Sequence, residues 1–310
     1  MAEKIATREA YGNALAEFGA KYENLVVLDA DLAAATKTST FKKAFPDRFF
    51  DCGIAENNMI NVAVGLSLSG KIPFASTFAM FAAGRSYEQI RNSIGYPHTN
   101  VKIGATHAGI TVGEDGATHQ CNEDLALMRT IPGMTILNPA DAVEARLAVE
   151  AAIKMQGPCY LRFGRMAVPV IFDKDYKFEI GRGVKLADGT DVSLIATGIE
   201  VEQALAAREL LAAEGISASV INIHTIKPLD EDLVVAEAQK TGAIVTCEEH
   251  SIIGGLGEAV ASCLAENCPT LVKRIGVNDE FGHSGPAVDL LKQFGLSSEN
   301  IIATAKELCK

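Results

Sequence analysis

The sequence predicts an α/β protein of two open, mostly parallel-sheet domains, and three observations carry that prediction. Short apolar strands alternate with helix-periodic segments along nearly the whole chain, which is the pattern of parallel sheets joined by crossover helices. The strands are apolar throughout rather than on alternate residues, as expected of a sheet covered on both faces. The rhythm lapses once, over Met166–Thr190, where Pro169 and the Ala187-Asp188-Gly189 turn sit among scattered charges. A first domain over 1–167, a linker over 168–190 and a second domain over 191–310 follow, and 310 residues suit about two domains.

In the first domain, Thr7 to Tyr22 reads as a helix with Tyr11, Leu15 and Phe18 on one face. Leu25–Leu28 reads as a strand, as does Phe49–Cys52, followed by a helix from Ala55 to Leu68. Strand Ile72–Ser76, helix Phe81–Ser93 and strand Val101–Ala105 come next, then a polar loop over Thr106–Asn122. Helix 123–130, strand Thr135–Leu137, helix Asp141–Met155 and strand Cys159–Arg162 complete the domain. The second domain repeats the alternation: strand Val192–Ala196, helix Val201–Ala213, strand Ala218–Ile223, helix Asp230–Lys240 and strand Ala243–Cys247. Helix Gly257–Ala265, strand Leu271–Ile275 and two C-terminal helices close it.

Composition narrows the function classes. The 28 basic and 39 acidic residues leave a net charge of −11, which opposes binding to a phosphate backbone and argues against a nucleic-acid role. A local basic pocket can still hold a small phosphorylated ligand. Seven cysteines, an odd number with no CxxC pair, read as reduced thiols. No apolar stretch reaches membrane-spanning length and no signal peptide is evident, so a cytoplasmic protein without membrane contact is expected.

Ligands of open α/β sheets bind beyond the carboxyl ends of the strands, and the chemically informative residues fall there. Glu56 opens a helix directly after the Phe49–Cys52 strand; a first-turn acid is favoured by the helix dipole alone, but the same carboxylate can face a ligand nitrogen. Phe78 and Phe81 follow the next strand and suit either core packing or a platform for a flat heterocycle. The loop after Ala105 holds His107, Glu114, Asp115 and His119 among three glycines, and long glycine-rich loops of this kind carry function more often than packing. Without an HExxH pair or a cysteine at ligand spacing, a metal site there is disfavoured. Gly254-Gly255-Leu256-Gly257 lacks the third glycine of a dinucleotide fingerprint, since Val260 stands in its place, and reads as a tight turn into a helix. Cys247-Glu248-Glu249-His250 reads as a strand end with exposed acids.

Three segments together, Gly53-Ile-Ala-Glu56-Asn-Asn-Met59, Pro73-Phe-Ala-Ser-Thr-Phe78 and Val112-Gly-Glu-Asp-Gly-Ala-Thr-His119-Gln120, resemble the transketolase family in order and spacing. The resemblance extends over essentially the whole chain, as a pyrimidine-binding domain followed by a transketolase C-terminal domain. It implies thiamine diphosphate as cofactor and transfer of a two-carbon ketol unit from a ketose phosphate to an aldose phosphate. Glu56 matches the glutamate that bonds the aminopyrimidine ring nitrogen, implying a cleft that raises its pKa. Phe78 and Phe81 match residues that stack on the pyrimidine; the family often has a third aromatic three positions on, where this chain has Gly84. His119 matches the histidine that handles the donor's hydroxyl proton, and Asp115 the acid that reads the α-hydroxyl. His107, Arg165 and Arg8 match a cluster that grips the sugar phosphate, for which the arginine fork is suited. A family serine near this site is Ala35 here, followed by Thr36, Lys37 and Thr38. Asp31 matches an acid that contacts cofactor across the subunit interface.

Full-length members carry a preceding domain whose GDG…N motif binds the diphosphate and Mg²⁺. The resemblance therefore implies the C-terminal subunit of a split transketolase, with no metal ligands of its own, active with an N-terminal partner in an α2β2 assembly. Related alternatives are a 1-deoxy-xylulose-5-phosphate synthase, whose usual GADG contrasts with Gly113-Glu-Asp-Gly116, the β subunit of a 2-oxo-acid dehydrogenase, and a non-catalytic partner subunit.

Overall fold

The structure, a computed structural model, describes residues 3–309. Its strands are β1 (Lys4–Ala6), β2 (Leu25–Asp29), β3 (Phe49–Asp51), β4 (Ile72–Phe78), β5 (Lys102–Thr106), β6 (Thr135–Leu137) and β7 (Cys159–Arg162). They continue as β8 (Ala167–Pro169), β9 (Val184–Ala187), β10 (Val192–Ala196), β11 (Ala218–Asn222), β12 (Thr225–Lys227), β13 (Ala243–Ser251) and β14 (Leu271–Val277). Seven form one sheet in the order β12-β6-β7-β5-β4-β2-β3, and five form another in the order β14-β13-β10-β11-β9. Both are open and parallel apart from the edge strands β12 and β9, so the chain has the expected α/β class.

In the first sheet β2 pairs with β3 on one side and β4 on the other. The chain steps from β2 outward to β3 and then crosses back over β2 to β4, which puts a topological switch point between the carboxyl ends of β2 and β4. The central strands β2, β4, β5 and β7 are buried along their length because helices cover both faces. Helix Thr7–Gly19 does so as its periodicity predicts: Tyr11, Leu15 and Phe18 are fully buried, each contributing about 1.5–3 kcal/mol relative to exposure. Tyr11 stacks on Phe163 at 4.5 Å and its hydroxyl meets Ser76 Oγ at 2.6 Å. Gly104 is required beneath it, since a Cβ there would collide with the Tyr11 ring.

Four features differ from the sequence expectation. The single helix over Phe81–Ser93 is instead a π turn (Met80–Arg85), a short α turn (Tyr87–Gln89) and a second π turn (Ile90–Gly95). The i→i+5 bonds Ser86 N–H to Phe81 O and Tyr96 N–H to Arg91 O mark them, and π turns inside helices recur at functional sites. The irregular stretch 166–190 contains two strands: β8 pairs with β1 near the N-terminus, and β9 edges the second sheet. Strand β12 belongs to the second half of the chain yet pairs antiparallel with β6 of the first sheet, Thr225 opposite Leu137. Finally, β13 runs on to Ser251, so Glu248, Glu249 and His250 are buried rather than exposed. Glu248 accepts from the N–H groups of Leu256 (2.6 Å) and Gly257 (2.8 Å), capping the helix Leu256–Asn267 that the glycine turn introduces.

Candidate active site at the carboxyl ends of the first sheet

Five parallel strands deliver the site. Asp31 follows β2, Glu56 follows β3, Phe78 ends β4, His107 follows β5 and Arg165 follows β7. A helix start, a π turn and a glycine-rich loop then supply Arg8, Phe81, Asp115 and His119.

Glu56 is the first residue of helix Glu56–Leu68, where the helix dipole favours a carboxylate. Its side chain is 2% exposed, and Arg85 Nη1 donates to both of its oxygens at 2.8 Å. The carboxyl expected in a cleft is thus held as an ion pair in this chain. The Arg85 guanidinium also lies 4.7 Å from the centre of the Phe81 ring, a cation–π contact where a third aromatic was looked for at Gly84.

Phe78 and Phe81 lie nearly parallel, with centroids 5.6 Å apart and planes 16° from each other. His119 meets Phe81 edge-on at 5.4 Å, and His107 stacks on Phe78 at 3.8 Å. Four predicted residues therefore form one aromatic cluster, with Glu56 joined to it through Arg85.

His107 sits in the left-handed region at φ 55° and is 2% exposed. Its Nε2 meets Arg8 Nη1 at 3.1 Å and its Nδ1 meets Thr106 Oγ1 at 3.0 Å. Burial, reinforced by the positive fields of Arg8, Arg165, His119 and Lys37, pushes its pKa down to about 3, so the ring is neutral at physiological pH. Arg8 is itself lowered, by burial first and then by the positive charge of Arg165. Arg165 donates to Val112 O and approaches Glu114 at 3.3 Å and Asp115 at 3.7 Å.

Thr36 and Thr38 turn away from this cationic cluster. Both hydroxyls donate to Asp29 Oδ2, at 2.7 and 2.8 Å, and both side chains are fully buried. Burial raises the Asp29 pKa to about 6 against these bonds. Lys37, between them at φ 68°, is the member of that segment whose charge is felt at His107. Asp31 stands apart, exposed, with its N–H on Asp51 Oδ1 at 3.2 Å.

Sequence reasoning missed Arg85. Its partner lies 29 residues away, and only the arginine beside Gly84 hinted at it. Among the described residues no group of three His, Cys, Asp or Glu is placed to hold a metal ion, and no helix is long and apolar enough to cross a membrane.

Comparison with known families decides what this architecture belongs to. Residues 3–170 match the transketolase pyrimidine-binding domain and residues 181–301 match the transketolase C-terminal domain. The chain belongs to the transketolase family. A solved structure titled as a split gene transketolase, inactive β4 tetramer, superposes with a TM-score of 0.93 at 54% identity, covering 98% of each chain. A Methanocaldococcus jannaschii protein provisionally named as a transketolase C-terminal section is 50% identical over 98% of this chain and 96% of its own length. A 6-deoxy-6-sulfo-D-fructose transketolase subunit of Clostridium sp. is 44% identical over 97% of this chain and 94% of its own. As a transketolase-family chain it matches such separate subunits end to end, and thiamine diphosphate is the family's cofactor.

Proposed function

We propose that this chain is the half of a two-subunit, thiamine-diphosphate-dependent transketolase that holds the cofactor's pyrimidine ring and both substrates. It would transfer a two-carbon ketol unit from a ketose phosphate to an aldose phosphate. The observation that carries this reading is the parallel pair Phe78 and Phe81, flanked by the buried Glu56 carboxylate and the edge of His119. A flat, apolar platform beside a buried carboxylate suits an aminopyrimidine.

Bound thiamine diphosphate supplies the electron sink for the two-carbon fragment. Phe78 and Phe81 orient the pyrimidine by stacking. Glu56 would hold a proton at the pyrimidine ring nitrogen, using the lone pairs that Arg85 leaves free on its oxygens. His119 takes and returns the proton of the donor's hydroxyl, a role suited to an imidazole that is partly open to the cleft. Asp115 bonds the α-hydroxyl. Arg8 and Arg165 bind the terminal phosphate, and neutral His107 serves that site by accepting from Arg8 Nη1 and so orienting it, without adding charge. Asp31, exposed beyond β2, reaches cofactor across a subunit interface.

The remaining parts come from other chains: an N-terminal subunit with the diphosphate and Mg²⁺ ligands, in an α2β2 complex. Within this chain, residues 1–167 act as the pyrimidine-binding domain and 191–310 as the C-terminal domain, joined by 168–190. A cytoplasmic location and a place in pentose phosphate metabolism complete the proposal.

The test is thiamine-dependent turnover of xylulose 5-phosphate with ribose 5-phosphate by the chain purified with its partner. Turnover that vanishes when the partner is removed and returns when it is added back supports the reading. An intact complex that transfers no two-carbon unit from any ketose phosphate, or from 6-deoxy-6-sulfofructose, overturns it.

A further inference from the structure

On its own domain the loop that carries Asp115 and His119 is held by Arg165, which donates to Val112 O, and by the edge-on contact of His119 with Phe81. Its neck is closed by Gly109 N–H on Cys121 O at 2.9 Å. Asp115 is exposed, with Arg165 3.7 Å away, and His119 bonds only its neighbour Thr118, at 2.9 Å. The positions of both groups are therefore inherited from the loop backbone.

That backbone is held by the C-terminal domain. The Thr111 N–H donates to Glu249 Oε1 at 2.6 Å, and Gly109 leaves the room this needs, since a Cβ there would strike the carboxylate. The segment 282–285 lies along the loop. A Cβ on Gly116 would stand 2.6 Å from Ser284 Oγ, and one on Gly113 would stand 3.3 Å from Gly285 O. Helix Ala287–Gln293 packs against the turn Ile110–Asp115.

Gln120 joins the two sides. It is 3% exposed. Its Nε2 donates to Ile110 O at 3.1 Å within the loop and to His283 O at 3.0 Å in the C-terminal domain, with Gly113 O further off at 3.4 Å. Its Oε1 lies against Gly282, where any Cβ would collide with it. One amide thus ties both limbs of the loop to the second domain, and among the described residues no other side chain bonds both.

We propose that Gln120 is a positioning residue for transfer, and that the C-terminal domain serves turnover as the brace that sets Asp115 and His119 through it. This rests on the transketolase reading. It separates two duties: Glu56, Phe78 and Phe81 hold cofactor without this brace, whereas the loop groups depend on it. A displacement of about 1 Å at reacting groups costs on the order of a hundredfold in rate.

Two variants approach the brace from opposite sides. Gln120→Glu keeps the shape but replaces the donor with a carboxylate facing carbonyls, and Gly282→Ala pushes on Gln120 from the C-terminal domain. Each is assembled with the N-terminal subunit and assayed for folding by thermal melt, for thiamine diphosphate affinity by fluorescence quenching, and for kcat and KM. Hydrogen exchange over residues 110–120 gives a readout independent of activity. Expected are a fall in kcat of about a hundredfold for Gln120→Glu and about tenfold for Gly282→Ala. Cofactor affinity stays within about twofold, and loop amides exchange about tenfold faster. Gln120→Asn, which keeps the amide on a shorter arm, gives an intermediate loss and serves if Gln120→Glu does not fold. Folded variants with wild-type kcat, or losses that follow cofactor affinity, overturn the proposal and leave the transketolase reading standing. A wild-type complex without ketol transfer overturns both.

Discussion

Arg85 Nη1 holds both oxygens of Glu56 at 2.8 Å, pairing an arginine side chain that is 49% exposed with a carboxylate that is 2% exposed. The pair solves a problem that any buried acid at this site poses. Without ligand, a carboxylate out of water needs a counter-charge, and the π turn that ends on Arg85 provides one. Arg85→Met keeps the aliphatic cover over Phe81 and removes the charge. The cofactor-free chain should lose about 1–2 kcal/mol, less than a fully buried pair would cost because Arg85 is half in solvent. Urea unfolding of the variant and of Arg85→Lys, which should recover part of the loss, measures this.

Glu56→Gln tests the acid itself. The amide keeps the size and the helix-start position but cannot hold the exchangeable proton. Turnover should drop by about 10²–10⁴-fold while KM for the acceptor changes little. Steady-state kinetics of the assembled complex decides it, and near wild-type kcat would remove Glu56 from the mechanism.

Asp115→Ala should weaken discrimination between hydroxyl epimers of the sugar substrates. The carboxylate is exposed and lightly held, so the variant should fold normally. The ratio of kcat/KM for the epimers should narrow by about tenfold, the order expected from losing a hydrogen bond to a charged group. An unchanged ratio would exclude the role.

The depressed His107 pKa predicts a particular acid limb. The folded state holds the ring neutral down to about pH 3, whereas an unfolded histidine protonates near its ordinary 6.5. Between these values the unfolded chain binds the extra proton, so this residue removes stability as pH falls from 6.5 towards 3 and has no effect above 6.5. His107→Asn should flatten the loss of stability between pH 6.5 and 4, which urea midpoints across that range will show. The KM for phosphorylated substrate should show no inflection near 6.5 from this group.

Lys37→Met probes the anion end. Its neighbours Thr36 and Thr38 are committed to Asp29, while its charge is felt at His107. Removing it should raise KM for xylulose 5-phosphate by about twofold to fivefold, as for loss of one partly exposed charge contact, and leave unphosphorylated xylulose unaffected. Equal effects on both sugars would show that Lys37 only shapes the loop.

The gathering of several candidate residues at one sheet edge was legible in the sequence because they follow strands, and strand ends are fixed by short apolar runs such as Ile72–Phe78. Glu56, Phe78 and His107 needed nothing more to be placed at one edge. What escaped was of two kinds. The stretch Met80–Gly95 has apolar spacing that fits a 3.6-residue period, and a pair of i→i+5 turns leaves no mark on that pattern. The second kind is pairing across sequence distance. Arg85 with Glu56, Thr111 with Glu249 and Gln120 with His283 join segments 29, 138 and 163 residues apart. For the same reason Glu248 and Glu249 looked like exposed strand-end acids. Their partners are backbone N–H groups, which carry no signature in residue type.

Strand β12 makes each half of the chain depend on the other. The three residues Thr225–Lys227 cross over to complete the sheet built by the other half. A gene broken between the two halves would produce a first product whose β6 edge is open and sticky, and a second with an unpaired strand. Each half therefore covers strand backbone that the other would expose to solvent if it stood alone.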